Sequence, residues 1–198
     1  LIQNKTAEIF IEILKSKTGD SNLWPTDVII KEKLLKRPIY REEKGKSKSL
    51  CNILLELEKY KRGKKQEKIE FTNEGLTIEH LMPQKWYENW PLEDEFISKE
   101  EFEIAIHAVM TEEDPQGIYH KIQNRNNALH SIGNLTILTD SLNPSISNNS
   151  FEIKKMEIAK QSTLKLNTYF LDKDNWNETE IKKRADDLLE SVLNVWSY

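Results

Sequence analysis

The chain has 198 residues, 37% of them apolar and 31% charged, with five tryptophans and a net charge of −4, a composition that excludes collagen-like and disordered chains. Cys51 is the single cysteine, which excludes an internal disulfide and a cysteine-rich zinc site; any metal must be held by oxygen and imidazole ligands, favouring Mg²⁺-like ions. No apolar run reaches transmembrane length and no signal-peptide pattern is present, so no membrane association and a cytoplasmic location are expected.

Taken in chain order, "TAEIFIEILKSKTG" at 6–19 spaces Ile9, Phe10, Ile13 and Leu14 as one helical face, with Gly19 as its C-terminal cap. "PTDVIIKEKLLKRP" at 25–38 predicts a second helix bounded by its prolines, and a third carries Leu50, Ile53, Leu54 and Leu57 on one side. Charge is uneven along the chain. Residues 31–68 hold fourteen Lys/Arg against six Glu, whereas 93–114 hold nine acidic residues against Lys99 alone. The first block suits a phosphate-facing surface and the second a repelled or partner-facing one, although a solvated helix face explains either block alone.

"LTIEHLMPQKW" at 76–86 alternates like a strand but ends on adjacent Glu79 and His80, after which Pro83 cannot donate to a ladder. An acidic helical insert follows at 85–130. Within it Ser98 and Glu101 form a capping box before a helix that points Phe102, Ile106 and Val109 inward, and "IYHKIQNRNNALH" predicts a further helix. "SIGNLTILTDSLNP" is a second β-like run. A helix capped by Asn149 and Glu152 then supplies Phe151, Met156 and Ile158 to the core, and a last helix capped by Asn177 and Glu180 supplies Ile181, Leu188, Val192 and Trp196. The sum is an α+β, mostly helical domain over 1–198: a basic helical segment (1–68), a ββα core with its insert (76–161) and C-terminal helices (162–198).

Glu79 and His80 are costly to bury and capable of chemistry. An antiparallel hairpin of the two β-like runs, followed by the helix from Asn149, brings His80, Asn134 and Asn143 together and can hold them around one cation. In a regular strand Glu79 and His80 point to opposite faces, so both reach one site only if the strand bulges or ends there. His130 either faces that site or packs, Asn148 fits a helix N-cap or a metal or phosphate contact, and Lys154 and Lys155 fit phosphate contacts or solvated positions. Trp86, Tyr87 and Trp90 suit base stacking or core packing, packing being the commoner use.

"IEHLMPQ" at 78–84, "GNLTIL" at 133–138, Asn143, "SNNSF" at 147–151 and Lys154 resemble the HNH, or His-Me finger, nucleases, and within them the C-terminal nuclease domain of GmrSD-type restriction enzymes. The likeness extends to "WPTD" at 24–27, "ILLELE" at 53–58, Trp176, Ile181 and Arg184. The resemblance implies a ββα-metal core surrounded by helices and a metal-dependent DNA endonuclease that nicks one strand at a time. Residue by residue, it implies His80 as general base, Asn134 as the amide that locks the hairpin, and Asn143 and Glu79 as ligands of Mg²⁺ or Mn²⁺. It further implies a defence role against modified foreign DNA and an upstream nucleotide-binding regulatory domain, consistent with a chain that begins at Leu1 rather than Met. Cutting both strands would then require a dimer or two successive events. Glu79 stands where HNH nucleases more often carry Asp, and Asn143 where many carry His. The alternatives from other classes are an inactive DNA-binding or interaction module and an RNase.

Overall fold

The computed structural model describes residues 12–13, 15–16, 25–36, 38–42, 47–62, 74–107 and 117–196. The first expected helix therefore lies mostly outside the described residues, as do Trp24, Val109 and the basic stretch beyond residue 62. Pro25 and Pro38 bracket the first described helix, α1 (Asp27–Lys36), because neither proline can sit inside a helix without removing a hydrogen bond. After it come α2 (Ile39–Glu42) and α3 (Ser47–Lys61), then β1 (Leu76–His80). The insert carries α4 (Lys99–His107) and α5 (Ile118–Leu129). β2 (Leu135–Thr139), the single-turn α6 (Asn143–Ile146), α7 (Phe151–Gln161) and α8 (Glu178–Val195) complete the order, with 3₁₀ turns at Trp86–Glu88, Ile132–Asn134 and Lys165–Asn167. The architecture is mostly helical with one small antiparallel sheet, an α+β arrangement.

The two strands separate two apolar clusters. On one face Leu76, Ile78, Leu135 and Ile137 meet Leu50, Leu54 and Leu57 of α3 and Leu188 and Val192 of α8. On the other, Leu81 and Leu138 join Trp86, Ile122, Leu129, Phe151, Phe170 and Trp176. Trp86 and Trp90 are buried in this second cluster, with Tyr87 packed against it, so these aromatics serve packing.

Local chemistry explains the helix starts. Ser98 Oγ accepts from Glu101 N at 3.1 Å while Glu101 Oε2 accepts from Ser98 N at 2.8 Å, the reciprocal box expected before α4. Asn177 Oδ1 accepts from Glu180 N at 3.1 Å at the start of α8. Helix α7 departs from expectation: its N-cap is Ser150, one residue later than expected, and Asn149 O accepts from the Trp90 indole N–H at 3.0 Å. That register points Phe151, Lys154 and Ile158 inward and leaves Met156 49% exposed. Ile106 is likewise exposed, and Ala105, with half-buried Phe102, fills the inner side of α4. No helix among the described residues is long and apolar enough to cross a membrane.

Candidate active site

The ladder runs in strict register from Leu76↔Thr139 to His80↔Leu135, with no bulge, and Leu81 N continues it to Asn134 O at 2.9 Å. Glu79 and His80 consequently leave the strand on opposite faces. The same alternation turns the carbonyls of Ile78 and His80 away from β2, to an outer edge where other groups must satisfy them. Asn143 and Lys154 do so. Asn143 Nδ2 donates to Thr77 Oγ1 at 2.9 Å and, more weakly, towards Ile78 O at 3.4 Å, and Lys154 Nζ donates to His80 O at 2.8 Å.

Lys154 also forms an ion pair with Glu79 Oε1. Lys154 is fully buried and Glu79 nearly so, placing the ammonium behind the carboxylate rather than on a phosphate-facing surface. Burial raises the Glu79 carboxyl against the opposing pull of Lys154, and burial lowers the Lys154 ammonium against the pull of Glu79. The sequence-level option of Lys154 as a surface phosphate contact is thereby corrected. Its position three residues into α7, on the inward stripe, sends it under β1.

Asn143, its Nδ2 committed to the strand edge, lines a cleft of about 290 Å³ that also takes in Thr77, Glu79, His80, Pro83, Asp140 and Asn148. The cleft contains two carboxylates, Glu79 and Asp140, and no lysine or arginine in its lining. Asp140 is the residue that the motif reading passed over. It is exposed in the turn after β2, three positions before Asn143, and an acidic side chain between "GNLTILT" and Asn143 was the available signal.

On the other face the His80 ring sits in an aromatic nest. Its Nε2 lies 3.3 Å from His130 Nδ1, and the Tyr40 ring meets it edge-on at 4.4 Å between centroids. Tyr40 also stacks on His130 at 5.9 Å, and Tyr40 N donates to His130 O at 3.1 Å. His80 is 5% exposed. Desolvation first, then the neighbouring His130 and Lys154, drive its pKa down to about 3, so the ring is a neutral imidazole at physiological pH.

Asn134 lies wholly inside and uses its whole amide. Oδ1 accepts from Met82 N at 2.8 Å and Trp176 Nε1 at 3.0 Å, while Nδ2 donates to Met82 O at 2.9 Å and Leu129 O at 3.0 Å. It has nothing left for a cation. Its bonds tie the segment after His80 to Leu129 at the end of α5, next to His130. Beneath it, buried Arg184 donates to Gly133 O at 2.9 Å and Leu135 O at 2.8 Å. Gly133 is required by close approach, since a Cβ there would sit 2.0 Å from Ile181 O of α8.

The remaining predicted contacts divide. Asn148 borders the cleft, donating to Glu88 Oε2 at 3.2 Å and accepting from Asn89 Nδ2 at 2.8 Å. Lys155 is turned away from it, donating to Lys173 O at 2.7 Å. Thus Glu79, Asn143 and Asn148 line the cleft and His80 borders it with its ring turned to the opposite face of the strand, while Asn134, His130, Lys154 and Lys155 lie around it.

A larger cavity of about 600 Å³ lies beyond Met82 against Trp90, Phe151 and Trp176. Its rim carries Glu93, Asp94, Glu152, Asp174 and Glu178, and its cations Lys121 and Arg125 are paired to Glu93 and Glu178. The smaller cleft is the better candidate because Glu79, His80, Asn143 and Asn148 all line it. Among the described residues no three His, Cys, Asp or Glu side chains gather into a metal-binding group. A hard cation such as Mg²⁺ nevertheless takes one or two carboxylates and fills its remaining positions with water, and the oxygen donors Glu79, Asp140 and Asn143 fit that chemistry.

A family model described as GmrSD restriction endonucleases, C-terminal domain, matches residues 24–191. No curated protein and no solved structure matches the chain.

Proposed function

The chain belongs to the family of GmrSD restriction endonuclease C-terminal domains, and from that premise we propose that it hydrolyses DNA phosphodiester bonds at the cleft between β1 and α6. His80 serves as general base and Asn143 and Glu79 hold one divalent cation, Mg²⁺ or Mn²⁺. The observation that carries this reading is the one cleft that Glu79, His80 and Asn143 all line, with the Asn143 amide anchored by its Nδ2 to Thr77 on the edge of β1.

Electrostatics support the cation. Of the two lining carboxylates Glu79 is paired with buried Lys154 and Asp140 is exposed, and with no lysine or arginine in the lining a phosphate there needs a bound cation as its positive partner. A bound Mg²⁺ supplies stabilisation of negative charge developing on the phosphate and on the leaving oxygen. The protein supplies the rest. In this reading His80 takes the proton of the attacking water, Asn134 holds the loop after His80 in place, and Lys154 pins both the Glu79 carboxylate and the His80 carbonyl. One base and one cation cleave one strand per event, so a double-strand break requires a second subunit or a second encounter. Family membership supports DNA as the polymer, and the wider resemblance supports modified foreign DNA under control of an upstream nucleotide-binding domain.

Incubation of supercoiled plasmid with the protein in Mg²⁺, in Mn²⁺ and in chelator, with single-stranded RNA in parallel, tests the proposal. Nicked circle that forms only with a divalent ion is the expected result. Nicking that persists under chelation overturns the cation assignment, and RNA cleavage without plasmid nicking favours the RNase alternative.

A further inference from the structure

The basic block at 31–68 takes no part in the reaction just proposed, yet helix α3 within it ends at a separate cavity. This cavity, of about 250 Å³, is bounded by the end of α3, the turn after Leu164 and α8, and it shares no lining residue with the cleft. Lys61, Lys165, Thr168, Tyr169, Arg184 and Asp187 line it, three cations against one carboxylate. That carboxylate is already engaged, since Asp187 Oδ2 accepts from Lys61 Nζ at 2.7 Å. The Lys165 ammonium has no hydrogen bond or ion pair among the described residues. Arg184 is fully buried, and its partners Gly133 O, Leu135 O and Leu166 O are uncharged. Its Nε has no hydrogen-bond partner among the described residues. Carbonyls satisfy N–H groups without neutralising the guanidinium, and a buried charge is costly unless an opposing charge accompanies it.

We propose that this cavity binds a phosphate group, with Lys61, Lys165 and Arg184 as its cationic lining and the Tyr169 hydroxyl as a neutral donor. The proposal concerns a second site and does not depend on the cleavage chemistry at the cleft. A phosphate supplies the negative charge that the lining lacks, and its oxygens accept from ammonium, guanidinium and hydroxyl groups alike. Burial, with Asp187 nearby, raises the Tyr169 hydroxyl above its ordinary range, so it keeps its proton and remains a donor. A backbone phosphodiester of bound DNA and a free phosphate or phosphomonoester offer the same recognition chemistry. Arg62, Lys64, Lys65 and Lys68 follow Lys61 directly in the chain, and such a basic run is the electrostatic footprint of a polyanionic partner.

Binding measurements on the full chain test the proposal without relying on activity: calorimetric titration with inorganic phosphate, and fluorescence anisotropy with a labelled DNA duplex in chelator. Arg184 also holds the Gly133 backbone, so its loss would confuse binding with folding, and the half-buried Lys165 is the residue to change. Lys165→Glu is expected to weaken binding by roughly 10-fold or more, the size of one charge-assisted hydrogen bond. Lys99→Glu, the same charge change on the acidic insert, is expected to leave it unchanged. Asp187→Asn frees Lys61 and removes the opposing charge, so it is expected to tighten phosphate binding several-fold, which a merely damaged fold would not do. A loss in the DNA titration, with a salt dependence about one charge shallower, identifies a backbone diester as the occupant. A loss confined to the phosphate titration identifies a free phosphate or phosphomonoester. The proposal is overturned if Lys165→Glu changes neither titration, or if Lys99→Glu changes them equally.

Discussion

Asn134 and Met82 exchange two hydrogen bonds, Oδ1 accepting from Met82 N at 2.8 Å and Nδ2 donating to Met82 O at 2.9 Å, so a side chain extends the hairpin's pairing past His80. Asn134→Ala removes both, together with the bonds to Leu129 O and the Trp176 indole, and strands buried backbone groups. Equilibrium urea unfolding is expected to show a loss of about 3–5 kcal/mol, several times that of an ordinary hydrogen bond. A loss below about 1 kcal/mol would mean that the loop is held by other contacts.

Lys154 and Glu79 are a buried pair whose members depend on one another. Lys154→Met leaves the Glu79 carboxylate desolvated without its cation and is expected to cost about 3–5 kcal/mol. Adding Glu79→Gln to that variant should recover a large part of the loss, because an uncharged side chain needs no counter-ion. Additive losses in the double variant, measured by chemical denaturation, would contradict the coupling.

Gly133 is fixed by the approach of α8 and not by an unusual backbone angle. A methyl group there meets the Ile181 carbonyl at 2.0 Å, and backbone on both sides leaves nothing flexible to yield. Gly133→Ala is therefore expected to cost at least about 3 kcal/mol, the upper end of the range for overpacking, with Tm as the readout. A Tm within error of wild type would show that α8 is free to move.

His80 is buried as a neutral ring, with its pKa lowered from 6.5 to about 3. Between those values the unfolded chain binds a proton that the folded chain refuses. The stability is fully present above pH 6.5 and is lost as pH falls towards 3, by up to about 1.4 kcal/mol per pH unit. His80→Phe removes the titration. Its stability between pH 6.5 and 4.5 should fall less steeply than that of the wild type, and parallel curves would show that the ring is solvated in the folded state.

Much of this organisation is legible along the chain, because local signals and tertiary outcome agree at the caps of α4 and α8, at the apolar stripes of α3 and α8, and in the two β-like runs. The misses share a cause. Met156 and Ile106 satisfy helical periodicity as well as their neighbours do, and only the orientation of α7 and α4 against the core separates inner from outer. Lys154 looks like a solvated lysine until the outer edge of β1 supplies Glu79 and a carbonyl to receive it. His130 is 50 residues from His80, and no local pattern announces that the two rings meet. Asp140 is separated from Asn143 by three positions, yet a turn carboxylate is ordinary until one cleft is seen to be lined by both it and Glu79.

The most direct test of the central claim is the rate of Mg²⁺-dependent plasmid nicking by His80→Ala, compared with wild type at matched circular dichroism and protein concentration. The proposed role of His80 as general base predicts a fall of roughly 10²-fold or more. Equal rates for the two proteins would contradict it.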